Sequence, residues 1–188
     1  MILKKDIRAI GFDDKPFNKF QDKKSEVIGT VMRGNSLIEG FLKTEITVDG
    51  NDVTDKIIDL IKSSQFSNQI RVIFSDGITF AGFNVLDVFK VNEVLGIPII
   101  VIIRREPNIE RIKDVLKKLN KQKELELINR LPKAVSFNGI YYQNIGLTNK
   151  DSESLIKRFT LSAKTPEPIR ISHLIGQMLA FNKSSGHA

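Results

Sequence analysis

RVIFSDGITFAGFNVLD, residues Arg71 to Asp87, is the stretch whose reading decides the fold. Apolar residues crowd both faces of Ile70–Phe74, as in a strand buried in the middle of a sheet. The run stops at Ser75-Asp76-Gly77, and a second apolar stretch follows. A buried strand that ends on a carboxylate has two explanations. Aspartate before glycine is common turn chemistry. Alternatively, that end of the strand opens into a crevice where the charge is solvated or bound, because an unpartnered buried carboxylate is costly.

The flanking segments give Asp76 a context. Ile7–Phe12 reads as a first strand ending at Asp13-Asp14, and Val27–Met32 as a second. Arg33-Gly34-Asn35-Ser36 has hairpin chemistry, and Leu37–Val48 makes a third strand. Asp52 is placed to cap a helix in which Val53, Ile57, Leu60 and Ile61 share a face. After the Ile70–Phe74 strand the spacing predicts a helix over Ala81–Leu95, then a fifth strand over Pro98–Ile103. Asn108 caps a helix through Ile109, Ile112, Leu116 and Leu119, which Leu125–Leu131 continues or restarts. Ala134–Leu147 reads as two short strands or loops. Ser152 is placed to cap a helix reaching Leu161, and Thr165-Pro166 puts a cap before a proline at the start of the last helix. This order predicts an α/β fold with antiparallel strands at one edge and parallel crossovers in the centre. The ribonuclease-H-like fold has this order: a central five-stranded mixed sheet with helices on both faces, here one domain over residues 1–188 with a short flexible tail at 182–188.

In that topology the first and fourth strands are parallel neighbours. Asp13 and Asp76 then open onto the crevice at the carboxyl ends of the strands, where ligands of open α/β sheets bind. Two carboxylates held together repel, and a divalent cation relieves the repulsion. Glu45 within the third strand and Asp49 at its end are candidates for a third ligand; a solvent-facing glutamate and a turn-forming Asp49-Gly50 are the plain alternatives. His173 on an apolar helix face is either a core histidine or a ligand. Arg104-Arg105 after the fifth strand is suited to phosphate oxygens, or forms a solvated loop.

Composition narrows the chemistry. The chain has no cysteine and two histidines, His173 and His187. Thiolate chemistry and multi-histidine sites are excluded, so a metal would rest mainly on carboxylates, which suits Mg²⁺ or Mn²⁺. Basic residues exceed acidic ones by seven, 29 against 22, which is compatible with a nucleic acid partner. The glycines fit neither a P-loop nor a dinucleotide fingerprint. The run Lys117, Lys118, Lys121, Lys123 reads as a solvated helix face. MILKKDIRAIG lacks the apolar core of a signal peptide, and Ile97–Ile103 is too short to span a bilayer. A soluble cytoplasmic protein is expected.

Together, GFDDKPF, GFLKTEITVDG, SDGITFAGFNVLD, PIIVIIRREP and TPEPIRISHLI resemble an archaeal family of unknown function related to endonuclease V. That likeness implies a ribonuclease-H-like fold and a carboxylate-held divalent metal that cleaves nucleic acid near inosine. Gly11-Phe12-Asp13, Asp76-Gly77 and Pro166-Glu167-Pro168-Ile169-Arg170 match the motifs of the nuclease, and His173 falls where it has a polar residue facing the site. Taken with the strand-end reading, this gives Asp13, Asp76, Arg104 and His173 as candidate catalytic residues, Asp13 and Asp76 with Glu45 or Asp49 as candidate metal contacts, and Arg104, Arg105 and Arg170 as candidate substrate contacts. The chain also departs from the nuclease. Leu37-Ile38-Glu39-Gly40 replaces a Tyr-x-Pro-Gly wedge, so weak cleavage of inosine substrates is expected. Counted from Gly40, the catalytic glutamate falls on Ile46, and Glu45 replaces it only across a bulge. The histidine six residues after the second aspartate falls on Gly82, and the lysine after the fifth strand on Arg104. A catalytically inactive nucleic-acid-binding or interaction protein on the same fold is the alternative.

Overall fold

The computed structural model describes residues 7–185. Three antiparallel strands open the chain: β1 (Arg8–Asp14), β2 (Lys24–Arg33) and β3 (Leu37–Thr47). Helix α1 (Val53–Lys62) leads to β4 (Ile70–Asp76), which lies parallel to β1. Helix α2 (Val88–Leu95) leads to β7 (Ile99–Ile103), parallel to β4. Between β4 and α2 sits a separate hairpin, β5 (Thr79–Phe80) and β6 (Asn84–Val85). Helices α3 (Ile109–Lys118) and α4 (Gln122–Arg130) precede β8 (Val135–Phe137) and β9 (Ile140–Ile145), and α5 (Asn149–Phe159) and α6 (Glu167–Phe181) close the chain.

The main sheet has seven strands in the order β3-β2-β1-β4-β7-β9-β8, two more than expected. The addition comes from residues 135–145. Asn138 and Gly139 both take positive φ, 49° and 77°, as a two-residue primed hairpin turn requires. Strand β9 then pairs antiparallel with β7.

The helix expected from Ala81 starts seven residues later. Gly82 (φ 91°) and Ala81 (φ 42°) turn the hairpin instead. Buried Asn84 fixes it: its Oδ1 accepts the Val53 N–H at 3.1 Å, and its Nδ2 donates to Thr47 O and Asp52 Oδ1. Asp87 then caps α2 through the Phe89 and Lys90 amides. Asp52 precedes α1, but its carboxylate binds Thr47 and Asn84 rather than the helix amides. Thr148, not Ser152, caps α5; the Ser152 hydroxyl lies one turn inside, donating to Thr148 O. Pro166 takes the cap position expected for Thr165. Of the tail, residues 186–188 lie outside the described residues. No helix among the described residues is long and apolar enough to cross a membrane.

Alternation along the strands divides the core in two. Ile10, Phe12, Val27, Ile73, Ile99 and Val101 face a cluster with α1 and α2, through Val53, Ile57, Ile61, Val88 and Val91. Ala9, Val72, Phe74, Ile100 and Ile102 face the other side, against Leu155, Ile156 and Phe159 of α5 and Ile169 of α6. Asp13 and Asp76 follow this second set in alternation, so both carboxylates belong to the face that α6 covers.

Helix α6 lies against the backbone of β1 at Gly11. A Cβ there would stand 2.5 Å from Pro168 C and Ile169 N. The Ser172 hydroxyl donates to Gly11 O at 2.8 Å and accepts from Thr30 Oγ1 at 2.7 Å, tying the helix to β1 and β2. Gly11→Ala should therefore force the helix outward and lower unfolding stability by about 1–3 kcal/mol. A urea melt checks this; a midpoint equal to wild type would mean that the helix is not held this close.

Candidate metal centre

Asp13 and Asp76 end neighbouring parallel strands, and His173 reaches them from the second turn of α6. One ligand atom from each lies within 4.8 Å of the other two. Each is placed by local sequence. Asp13 sits two residues after Gly11, where α6 comes closest. Asp76 precedes Gly77, whose positive φ of 73° turns the chain away while its N–H donates to Ile102 O at 2.8 Å. His173 follows Ser172, the residue that pins α6 to the sheet.

Asp13 is buried. Its Oδ1 accepts the Asp14 N–H at 2.9 Å, and its Oδ2 lies 2.7 Å from His173 Nδ1. The other ring nitrogen, Nε2, is 3.0 Å from Gln177 Nε2. Gln177 Oε1 accepts the Ser185 N–H at 3.0 Å, so the amide nitrogen is the group that faces the ring. An amide nitrogen only donates. In the neutral ring His173 Nε2 is therefore the acceptor, and Nδ1 carries the proton toward Asp13.

Asp76 is held at 2.6 Å by Arg104 Nη2. Burial, and then the Asp13 charge, push its carboxyl up to about 6 despite that guanidinium. Asp14 faces the opposite side of the sheet, where its Oδ2 accepts the Ala81 N–H at 2.7 Å. Burial raises it too, to about 6, with the Asp13 and Asp76 charges adding to the effect. The β1–β4 edge thus concentrates three acids, with Arg104 and His173 as the neutralising groups.

The other expected residues fall elsewhere. Ile46 is buried in the α1 cluster, so its face is the wrong one for a ligand. A register shift does occur in β3, but at Glu39, before Gly40; from Gly40 to Ile46 the pairing with β2 is unbroken. Glu45 therefore shares a sheet face with Asp13, yet it stands two strands out, exposed and paired with Lys24. Asp49, with φ 53°, accepts the Phe83 N–H at 2.8 Å and lies 3.7 Å from Lys19 Nζ. It shapes the β5–β6 hairpin and is not in the converging group. Arg170 donates through Nε and Nη2 to Glu167 Oε2 at 2.9 and 2.6 Å. Arg105 is exposed beyond β7. Leu37–Gly40 starts β3 at the end of the sheet away from Asp13, where Arg8 and Arg33 clamp Glu39. Asp14 and Gln177 were not singled out from the sequence; the acidic doublet at 13–14 and the i, i+4 spacing of Gln177 from His173 were the available signals.

This fold is shared with endonuclease V. The structure superposes on Ciona intestinalis endonuclease V, solved with a DNA containing inosine followed by a ribo-adenosine, with a TM-score of 0.58 at 12% identity over 90% of this chain and 84% of that one. Bacillus subtilis endonuclease V gives 0.56 at 10% identity, over 94% and 81%. The chain itself belongs to the endonuclease dU family, whose model matches residues 5–180. It is 42% identical to a UPF0215 protein of Methanocaldococcus jannaschii over 94% of this chain and 96% of that protein. The crystal structure of a protein of unknown function from Archaeoglobus fulgidus matches with a TM-score of 0.84 and 37% identity, covering 90% of this chain and 96% of that one. These relatives make it a member of an archaeal family related to endonuclease V.

The hydrogen bond to Asp13 raises the pKa of His173 above its ordinary value, against the opposing effect of burial. Stability from this ion pair is fully present below the unfolded histidine pKa of about 6.5 and is lost as pH rises through the higher folded value. NMR titration of the ring should give a pKa above that of a free histidine, an Nδ1–H tautomer when neutral, and a fall in pKa in Asp13→Asn. An Nε2–H tautomer would contradict the Gln177 contact.

Proposed function

We propose that the protein is a divalent-metal-dependent endonuclease acting on nucleic-acid phosphodiesters. The observation that carries this reading is the convergence of Asp13, Asp76 and His173 at the carboxyl ends of β1 and β4. We read the β3-β2-β1-β4-β7 part of the sheet as ribonuclease-H-like. The name of the family and the inosine-containing DNA bound by the Ciona enzyme support a DNA substrate carrying a deaminated base.

The donor set fits Mg²⁺ or Mn²⁺: two carboxylates supply hard oxygen ligands, and their mutual repulsion needs a cation. A bound divalent ion supplies charge neutralisation at the phosphate and a water of lowered pKa. The chain's own groups do the rest. Gln177 and Asp13 fix the orientation and proton position of His173. Arg104 holds Asp76 now, and so competes for the same carboxylate; released from it, its guanidinium is free to donate to phosphate oxygens. Arg105 and Arg170 lie outside this arrangement, and Glu45 and Asp49 are reserved for other partners.

Cleavage of uracil-containing, inosine-containing and unmodified oligonucleotides, DNA and RNA, with Mg²⁺ or Mn²⁺ tests the reading. Asp76→Asn should abolish metal-dependent cleavage while leaving the melting temperature near wild type, because the amide keeps the shape and loses the charge. Equal, background-level signals from wild type and variant, with oligonucleotide binding retained, would make the protein a binding member of the fold.

Removing Arg104 should strengthen metal binding. Arg104→Gln leaves Asp76 without its competing cation, and we expect Mn²⁺ affinity measured by calorimetry to rise about tenfold, equivalent to ~1.4 kcal/mol. Unchanged affinity would mean that Asp76 is not a ligand.

A further inference from the structure

We propose that Phe20 is a base-stacking residue, presented by the β1–β2 loop to nucleic acid at the carboxylate end of the sheet; this rests on the nucleic-acid reading above. Phe20 is 96% exposed, whereas the next most exposed large apolar side chain among the described residues, Leu161, is 65% exposed. A single exposed apolar residue is ordinary on a protein surface. Phe20 differs in how it is held and in what surrounds it.

The loop is a built turn. Asn18 Oδ1 accepts the Phe20 N–H at 3.0 Å, and Asn18 O accepts the Gln21 and Asp22 amides. Asp22 Oδ2 accepts the Asn18 N–H at 2.7 Å. Three residues earlier, Phe17 packs against the core. Phe17 anchors the loop and the turn fixes the backbone of Phe20, so little backbone ordering entropy remains to be lost when a base stacks on the Phe20 ring.

The surroundings are basic and lie at the end of the sheet where β1 delivers Asp13. Residues 15–24 carry four lysines against one aspartate; Lys15 and Lys24 are paired with Glu26 and Glu45 on the neighbouring strands. Among the described residues, Lys23 has no carboxylate within ion-pair distance, and it is exposed. Lys19 reaches across to Asp49 at 3.7 Å and lies 5.6 Å from the centroid of the Phe83 ring. That contact seats the loop on the β5–β6 hairpin, which begins three residues after Asp76 and is joined to Asp14 through the Ala81 amide. An exposed aromatic on an ordered turn with lysines nearby is how proteins hold single-stranded nucleic acid: the cations follow the backbone and the ring stacks on a base of any sequence. An extruded base or a frayed single strand is the occupant that this chemistry fits.

The chain has no tryptophan, so Phe20→Trp installs a lone indole as a reporter. Adding a single-stranded DNA oligonucleotide in EDTA should quench its emission. In the same buffer, Phe20→Ala should bind the labelled oligonucleotide about five- to a hundredfold more weakly than wild type, with an unchanged melting temperature and an unchanged dependence of affinity on salt. Phe20→Trp should restore affinity, and Lys23→Gln should instead reduce the salt slope by about one. Wild-type affinity in Phe20→Ala, or unquenched emission in Phe20→Trp, would overturn the proposal. Because these measurements exclude metal and do not depend on cleavage, a protein that passes them yet cuts nothing would lose the nuclease reading and keep the stacking residue.

Discussion

The close approach of α6 to β1 is the constraint on which the site depends. A histidine on a helix and an aspartate on a strand meet at 2.7 Å only because the helix backbone rests almost directly on the strand backbone. Gly11 makes room, and Ser172 fastens the contact with a hydrogen bond to the carbonyl of the same glycine. The strand thus uses one residue for clearance and, two positions later on the same face, one for chemistry. The alternation of side chains along β1 guarantees that the two functions share a side.

Charge is the second organising element. Parallel pairing of β1 with β4 brings Asp13 and Asp76 together whatever their energies, and Asp14 adds a third acid across the sheet. Burial first, and the neighbouring carboxylates after it, raise Asp76 and Asp14 to about 6. Arg104 offsets the repulsion with a positive charge and His173 with a hydrogen-bond donor to Asp13.

Much of this was legible in the sequence. The apolar Ile70–Phe74 run and the order of elements placed β1 beside β4, and the strand-end positions of Asp13 and Asp76 followed. His173 was visible from helical spacing beyond Pro166–Arg170. Other features depend on contacts between distant segments. The Thr79–Val85 hairpin has helix-compatible spacing and is decided by Asn84, whose partners lie more than thirty residues away. Strands β8 and β9 are short, and they gain their place by pairing with β7. The fate of Glu45 depended on where the bulge in β3 falls, and nothing local marks Glu39 as the extra residue. Gln177 became significant only once Ser185 was seen to orient its amide.

Strand β3 is the last strand on its side of the sheet. Such an edge offers a row of free backbone donors and acceptors to any other extended chain, and Leu37, Ile38 and Phe41 along it are exposed. Lys43 and Glu45 follow on the same strand, each tied across to β2 by an ion pair. Charges fixed there in register discourage a second molecule from adding its own strand, since docking would strip water from both pairs. Glu45, one residue away from the position that counting from Gly40 reaches, is thus occupied as one of the charges along this edge.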